Sequence, residues 1–589
     1  MVHKIHIPVM GICYTADTPI RVAHLGITSV ISLVDDGLLE EYRMAYAERL
    51  GLDLGSPQTT RIGRIRSYLD FVADEVDRKF SRLCAGRFDG GSDKDLYFLM
   101  LPLDSRLRVE YDGIFAKTGL ARIAAEAALT EKMEPGEIQA NIMVGLNHEE
   151  AAFDAVRGFA ASKVKGSLVL SAGVNLSVFE EIAKCKDFYR TGTALPKKKI
   201  VLKVSDYRSA LVQSRYLAKK GLEVYEYRIE SGVNCGGHAF FESRKLLLDV
   251  VREFVEKRQE LFEATRTMIA KFATSCVAGN NAAIASASSA ANVPVQGIVP
   301  PPSPARITAQ GGLCAPEDIE KIMSFGIDGV GVGTPFLLVP QATSVDKETR
   351  RLLVAAKPED VTISHASPLG IPFMNLQTST AAEICRQKTE EYFASQGEKS
   401  GAQELKPGFP CCQHYLCHVV PGFEHPVCLA SREYVMHRLA EIDLLEKEDI
   451  EACRMRPYNA DVEESRTVSQ ERGSLEFSIH RKYDKLRRVT LSRECICRFL
   501  GNAGREEIRE KSPSLHYQPE FVAVARGSKQ ARKREPVSIC PNPDVGYFDR
   551  EYTLLEMMQH LYGTGKRLTP KDKPSAFEVE ERLLKNAIF

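Results

Sequence analysis

Two groups of glycines in the central part of the chain occur where a backbone could bind a phosphate. Gly311 and Gly312 follow the apolar run ARITAQ, and Gly331 and Gly333 lie in the run DGVGVGTPF together with Thr334. Glycine lets a backbone approach a ligand closely and adopt dihedral angles that other residues avoid. A phosphate in such loops accepts hydrogen bonds from backbone N–H groups and from the start of a following helix, here PEDIEKIMSFG. The glycines therefore predict a phosphate cradle, and the alternative is that they only form tight turns.

Polar side chains also follow predicted strands elsewhere in the chain. His238 comes after the strand-like run YRIESG, Lys203 is near the end of IVLKVS, and Asn147 follows IMVGL. At the carboxyl ends of parallel strands, an imidazole can take up or release a proton near neutral pH. His238 is the predicted catalytic base, and the alternative is a histidine that only hydrogen-bonds backbone or a ligand. Lys203 either places a positive charge beside a ligand or is a solvated residue at the end of its strand.

Cysteines are concentrated towards the end of the chain, with eight of the fifteen beyond residue 400. Cys411, Cys412, Cys417 and Cys428 occur with three histidines in PCCQHYLCHVVPGFEHPVC. This density of soft ligands favours a zinc ion or an iron–sulfur cluster. No CxxC pair occurs in the sequence, so a reduced, cysteine-rich packing domain is the alternative.

Parallel strands are predicted to position these residues. Short apolar runs rich in β-branched residues alternate with stretches of helical period, which is typical of strands joined by crossover helices. The predicted strands are residues 6–12, 28–33, 138–146, 167–173, 200–205, 223–232, 305–312 and 328–336. Eight βα units are enough to close a barrel, so the predicted fold class is α/β, a (β/α)8 TIM barrel. An open, doubly wound sheet is the alternative.

The predicted domain organisation adds two insertions and a second domain to this barrel. The barrel covers residues 1–385, with insertions at about 51–136, after the second βα unit, and at 274–304, where Ala, Ser and Pro are abundant. Residues 386–408 are a predicted polar linker, and 409–589 are a smaller, mainly helical, cysteine-rich domain. The final helix, FEVEERLLKNAIF, is amphipathic and is predicted to dock on the body or on a partner subunit.

The charge balance excludes several classes of partner. Lys plus Arg and Asp plus Glu both number 78, so no overall field draws the chain to nucleic acid or anionic lipid. The sequence has no signal-peptide pattern and no uncharged apolar run of ~18 residues. We expect a cytoplasmic protein with a small-molecule substrate and no nucleic-acid or membrane partner. A homo-oligomer is compatible with the sequence.

At these motifs the chain resembles the nitronate monooxygenase family (formerly 2-nitropropane dioxygenases), and more loosely FMN-dependent enoyl reductases and IMP dehydrogenase-like barrels. The matching positions are the glycine pair Gly311 and Gly312, the phosphate turn Gly331 to Phe336, the histidine loop Gly236, Gly237 and His238, and the first-strand loop Met10 and Gly11. Their order agrees over roughly residues 5–380. After the histidine the family commonly has another glycine, whereas Ala239 follows here.

The resemblance implies an FMN-dependent oxidoreductase that oxidises a small nitronate or nitroalkane-like substrate, with the flavin reoxidised by oxygen. His238 would take a proton from the substrate carbon. The residues implied to contact FMN are Met10, Gly11, Asn147, Lys203, Gly236, Gly237, Gly311, Gly312, Gly331, Gly333 and Thr334. Two alternatives stay open: an FMN-dependent enoyl reductase that uses a reduced nicotinamide, and a non-catalytic flavin- or metal-binding scaffold.

Overall fold

Eight parallel strands form a closed barrel in which neighbours follow chain order. The structure, a computed structural model, describes residues 2–10, 15–33, 36–143, 149–171, 173–232, 245–277, 297–345, 347–364, 373–378, 417–418, 427–428 and 541–586. The strands are β1 (Ile5–Ile7), β2 (Thr28–Ser32), β3 (Ile138–Met143), β4 (Ser167–Ser171), β5 (Lys199–Val204), β6 (Glu226–Ile229), β7 (Arg306–Gln310) and β8 (Gly329–Gly331). Because β8 pairs with β1, His6 lying beside Gly331, the TIM barrel is confirmed and the open sheet is excluded.

Several strands end earlier than the sequence predicts. β1 stops before Pro8, which has no N–H to donate to the neighbouring strand. After β8 the chain turns into a 3₁₀ helix at Thr334–Leu338, and Phe336 and Leu337 are buried there without belonging to the sheet. The apolar runs are longer than the strands because residues beyond the hydrogen-bonded ladder also pack into the core.

Helices surround the barrel. Up to residue 355 they are α1 (Thr18–Val22), α2 (Asp36–Leu50), α3 (Arg61–Ala85), α4 (Asp93–Leu99), α5 (Arg106–Ile114), α6 (Gly119–Thr130), α7 (Glu149–Ala161), α8 (Leu176–Ala183), α9 (Tyr207–Lys219), α10 (Leu247–Glu256), α11 (Arg258–Val277), α12 (Pro316–Met323) and α13 (Lys347–Ala355). The predicted insertion at 51–136 is helical, and its α3 packs against α2 and α7 in the outer layer of the barrel. The predicted insertion at 274–304 begins within the last turn of α11.

Two short antiparallel strand pairs lie outside the barrel. They are β9 (Val361–Ser364) with β10 (Phe373–Leu376), and β11 (Cys417–His418) with β12 (Val427–Cys428). In the described parts of the chain, no helix has both the length and the apolar character that crossing a membrane requires.

The last described segment, residues 541–586, packs on the barrel through α14 (Leu554–Leu561) and α15 (Ala576–Asn586). Met557 and Leu561 of α14 are buried in the same hydrophobic core as the strands. The Tyr562 hydroxyl accepts a hydrogen bond from the Lys4 N–H at 3.1 Å, beside β1. In α15, the Glu580 carboxylate accepts the Leu247 N–H at 3.1 Å, so the final helix docks on the body. The predicted domain boundary at residue 409 stays a prediction.

We expect Met557→Ala to destabilise the whole barrel, because Met557 is fully buried in the shared core. Truncating such a side chain leaves a cavity and lowers the free energy of unfolding by about 2–5 kcal/mol. Leu120→Ala is the control, since Leu120 is 85% exposed and its truncation should change stability by less than ~0.5 kcal/mol. Guanidinium unfolding of the full chain, followed by circular dichroism, measures both. Equal midpoints for the two variants would show that residues 541–586 do not stabilise the barrel.

Candidate functional site

An open cleft lies at the carboxyl ends of β1, β6, β7 and β8. Ligands of TIM barrels bind at this end, since the loops that follow the strands meet there. The residues that line the cleft are Pro8, Val9, Met10, Glu230, Gln310, Gly311, Gly312, Leu313, Cys314, Gly331, Gly333, Thr334, Pro335, Leu337, Met374, Asn542 and Asp544. The structure therefore brings together Met10 and all the predicted cradle residues.

The loop after β7 has the backbone of an anion-binding turn. Gly311 and Gly312 have φ angles of 127° and 71°, values that residues with a side chain rarely adopt. Among the described residues, the N–H groups of Gly312 and Leu313 have no hydrogen-bond acceptor. The loop leads into α12, whose N-cap residue, Ala315, provides no side-chain cap. These N–H groups and the helix dipole are available to an anionic ligand.

The loop after β8 needs glycine for a different reason, close packing. A Cβ atom on Gly331 would lie 2.8 Å from the Nε2 atom of His6 and from the Cβ atom of Gln310. A Cβ atom on Gly333 would lie 3.2 Å from the Cγ atom of Met10 at the wall of the cleft. The Thr334 hydroxyl already accepts a hydrogen bond, from the Asn542 N–H at 3.0 Å. Gly331 thus maintains the barrel, whereas Gly333 keeps the cleft open.

Lys203 forms an ion pair at the edge of the cleft. Its Nζ atom lies 3.0 Å from an oxygen of Glu230, and the Gln310 amide donates a hydrogen bond to the other oxygen of that carboxylate. Glu230 and Gln310 line the cleft, and they place Lys203 beside it. Sequence reasoning selected Lys203 but missed Glu230 and Gln310. Both residues could have been predicted from their position at the carboxyl ends of β6 and β7, where the ligands of a barrel bind.

Deeper in the barrel, an ion pair is fully buried. The Arg228 guanidinium donates a hydrogen bond to Glu226 at 2.7 Å and another to the Gln139 side chain at 2.9 Å. The Thr308 hydroxyl also donates to Glu226, at 2.7 Å. Burial alone would raise the pKa of Glu226, but Arg228 and other positive charges lower it to about 2. Glu226 is therefore ionised throughout the physiological range.

His6 borders both this ion pair and the cleft wall. Burial, reinforced by the Arg228 charge, lowers the pKa of His6 to about 3. Its imidazole is consequently neutral at physiological pH. Polar side chains of β1, β6 and β7 therefore extend from the interior of the barrel to Glu230, which lines the cleft.

Two further residues of the cleft come from the segment 541–545, far from the barrel strands in the sequence. Asn542 and Asp544 line the cleft beside the two glycine loops. Sequence reasoning missed both residues, because their local pattern, PNPDVGY, indicates only a turn. Cys314, on the opposite loop, is buried, and burial together with Asp544 raises the pKa of its thiol well above the usual range. Cys314 is accordingly not a reactive thiolate.

Other predicted residues lie outside the described part of the chain. They are Gly11, Asn147, Gly236, Gly237, His238, Cys411 and Cys412. Cys417 and Cys428 face each other as partners in the β11–β12 pair, and the structure does not describe their side chains. Within the described ranges, no group of three or more His, Cys, Asp or Glu side chains could hold a metal ion. The catalytic base and the metal site stay predictions.

Comparisons with known proteins give no match to a family model or to a curated protein. Among solved structures, the enoyl reductase domain of MlnA from Bacillus amyloliquefaciens is 12% identical with a TM-score of 0.35, covering 80% of this chain and 86% of that one. FabK from Thermotoga maritima is 13% identical with a TM-score of 0.32, covering 67% and 78%. Nitroalkane oxidase from Streptomyces ansochromogenes is 11% identical with a TM-score of 0.28, covering 63% and 76%. Likenesses this low say nothing about activity, and the fold assignment rests on the strand pairing.

Proposed function

We propose that this chain is an FMN-dependent oxidoreductase of the nitronate monooxygenase type, acting on a small nitronate or nitroalkane-like substrate. The observation that supports this best is the cleft beside β7 and β8, with the unengaged N–H groups of Gly312 and Leu313. Phosphate groups of cofactors bind to such loops in many TIM barrels.

The described residues fit FMN as follows. Gly312 and Leu313 would donate backbone hydrogen bonds to its phosphate, with the start of α12 adding a favourable dipole. Val9 and Met10 give one wall of the cleft an apolar surface against which an aromatic ring can pack. When bound, FMN supplies an acceptor for the electrons removed from the substrate.

Two polar groups would act on the substrate in this proposal. Lys203, held by Glu230 at 3.0 Å, lies next to the cleft and offsets the charge of the Glu230 carboxylate, which would otherwise oppose the build-up of electrons on a bound flavin. His238, the predicted base, comes after the β6 segment in the sequence, and in the proposed mechanism it takes a proton from the carbon that carries the nitro group. Glu230, which lines the cleft, keeps Lys203 oriented.

An absorption spectrum of the purified full chain tests the cofactor assignment. Bound FMN gives bands near ~370 and ~450 nm, and an iron–sulfur cluster adds a broad visible shoulder. We expect the purified protein to show the flavin bands. If it is purified without flavin, we expect added FMN to bind and its absorption maximum to shift from that of free FMN. A protein that is colourless and does not bind added FMN would contradict the proposed function.

The reaction type needs a second measurement on the flavin-loaded protein. Oxygen uptake that depends on an alkyl nitronate supports the nitronate monooxygenase reaction. Rapid flavin bleaching by a reduced nicotinamide without oxygen, with no nitronate-dependent uptake, would instead favour an enoyl reductase. His238→Asn should lower the nitronate rate by about 10²–10⁴-fold, the usual contribution of a general base, while leaving the flavin spectrum unchanged.

A further inference from the structure

The segment 541–547 joins the two glycine loops of the cleft. The Asn542 N–H donates to the Thr334 hydroxyl at 3.0 Å, which attaches the segment to the loop after β8. Two residues later, Asp544 lies close enough to Cys314, in the loop after β7, to raise the pKa of its thiol. Asp544 and both loops line the same cleft. Its carboxyl group is therefore next to the proposed phosphate cradle.

Asp544 is buried, and its carboxyl group contacts both Lys573 and the Cys314 thiol. Oδ1 lies 3.2 Å from the Nζ atom of Lys573. Oδ2 is buried and, among the described residues, accepts no hydrogen bond from a nitrogen or oxygen donor. A buried oxygen without a partner is costly and uncommon in proteins. In a residue that lines a cleft, it indicates a ligand atom that completes the contact.

Lys573 does not offer its charge to a ligand. Its ammonium group contacts Asp544, Asp318 at 3.3 Å and the Pro574 carbonyl at 2.9 Å, which accounts for its three protons. With Asp544 ionised, this buried group carries two carboxylates and one ammonium. A phosphate dianion in the adjacent cradle would then face a net negative charge.

The groups that act on Asp544 belong to three elements. Burial raises the pKa of Asp544 to about 6, Lys573 and the Cys314 thiol act in the opposite direction, and Asp318 of α12 adds to the increase. Tyr547, in the same segment, has its own pKa raised by burial and by Asp544, so its hydroxyl stays neutral. Asp544 consequently changes its charge close to neutral pH.

We propose that Asp544 determines how tightly the cleft binds a phosphorylated ligand: its protonated carboxyl donates a hydrogen bond to the phosphate, and its carboxylate repels it. The inference rests on the proposed function, in which FMN is that ligand. FMN binding then takes up a proton at Asp544. Riboflavin, which has the same ring and ribityl chain but no phosphate, binds without this proton.

Flavin fluorescence titrations of the full chain at pH 5, 6, 7 and 8 test the proposal. For the natural chain we expect the Kd of FMN to rise by up to about tenfold per pH unit above pH 6, as linkage to one proton requires, while the Kd of riboflavin stays constant. The FMN phosphate itself ionises near pH ~6. Asp544→Asn separates the two effects, because in this variant the remaining pH dependence belongs to the phosphate.

Asp544→Asn should bind FMN at pH 8 up to about a hundredfold more tightly than the natural chain, with riboflavin binding unchanged. Asp318→Asn is the matched variant, since Asp318 contacts the same lysine but does not line the cleft. Removing the Asp318 charge lowers the pKa of Asp544, so the pH at which FMN binding weakens should shift downwards. This shift tests the proposal even if Asp544→Asn does not fold. Identical FMN profiles in the natural chain and both variants would overturn the inference and leave the proposed function standing. Failure to bind either flavin would overturn both.

Discussion

Glu226→Gln is expected to lower the free energy of unfolding by about 3–5 kcal/mol, because it leaves the buried Arg228 without a negative partner. Both side chains are fully buried in the barrel, at 0% and 1% exposure. A glutamine keeps the shape and can still accept hydrogen bonds from Arg228 and Thr308. The decrease in the free energy of unfolding is therefore due to the unpaired charge of Arg228 and not to a cavity. Guanidinium unfolding at pH 7 measures it.

The effect of Glu226 also has a defined pH dependence. Its pKa is about 2 in the folded protein against 4.5 for the ordinary group. A carboxyl with a depressed pKa stabilises the fold above its unfolded pKa and loses that contribution as the pH falls through its folded pKa. The stability difference between the natural chain and Glu226→Gln should consequently be constant from pH 5 to 8 and should shrink from pH 4.5 towards pH 2.

Two controls separate this prediction from a general effect of removing charge. Glu110→Gln removes a partly exposed carboxylate that contacts Arg106 and Lys132, and it should cost less than about 1 kcal/mol. Adding Arg228→Met to Glu226→Gln removes the unpaired charge and should recover part of the lost stability. A single Glu226→Gln variant as stable as Glu110→Gln would show that water or another group compensates Arg228.

Gly312→Val is expected to weaken FMN binding by about 10- to 100-fold, which corresponds to loss of a hydrogen bond to a charged group. Valine at the Gly312 φ angle of 71° is strained, so the loop must shift and the Gly312 and Leu313 N–H groups turn away from the cradle. Binding is measured by flavin fluorescence with the full chain.

Gly326→Val is the matched control for backbone strain. Gly326 has a φ angle of 82°, lies outside the cleft, and a Cβ atom there would meet nothing within 4 Å. Both variants should lose about 1–2 kcal/mol of stability from the left-handed conformation, but only Gly312→Val should lose FMN affinity. Equal affinity in the two variants would mean that the loop after β7 does not hold the cofactor.

The barrel and half of the cleft could be predicted from local sequence. Alternation of strand-like and helical runs identified all eight strands, because a parallel strand between helices is a short run rich in apolar and β-branched residues. Gly311 and Gly312 were identifiable for the same kind of reason, since their positive φ angles are a local requirement. Glu226, Arg228 and Glu230 alternate along β6 and so share its inner face, a signal that was present but not used.

The other half of the site was decided by tertiary structure alone. Nothing near Asn542 or Asp544 indicates that they meet Thr334 and Cys314, more than two hundred residues earlier. The amphipathic pattern of α14 and α15 shows that each helix must bury one face, but not which surface receives it. That choice depends on complementary packing against β1, α10 and α12, and through it the barrel acquires the carboxyl group beside its proposed phosphate cradle.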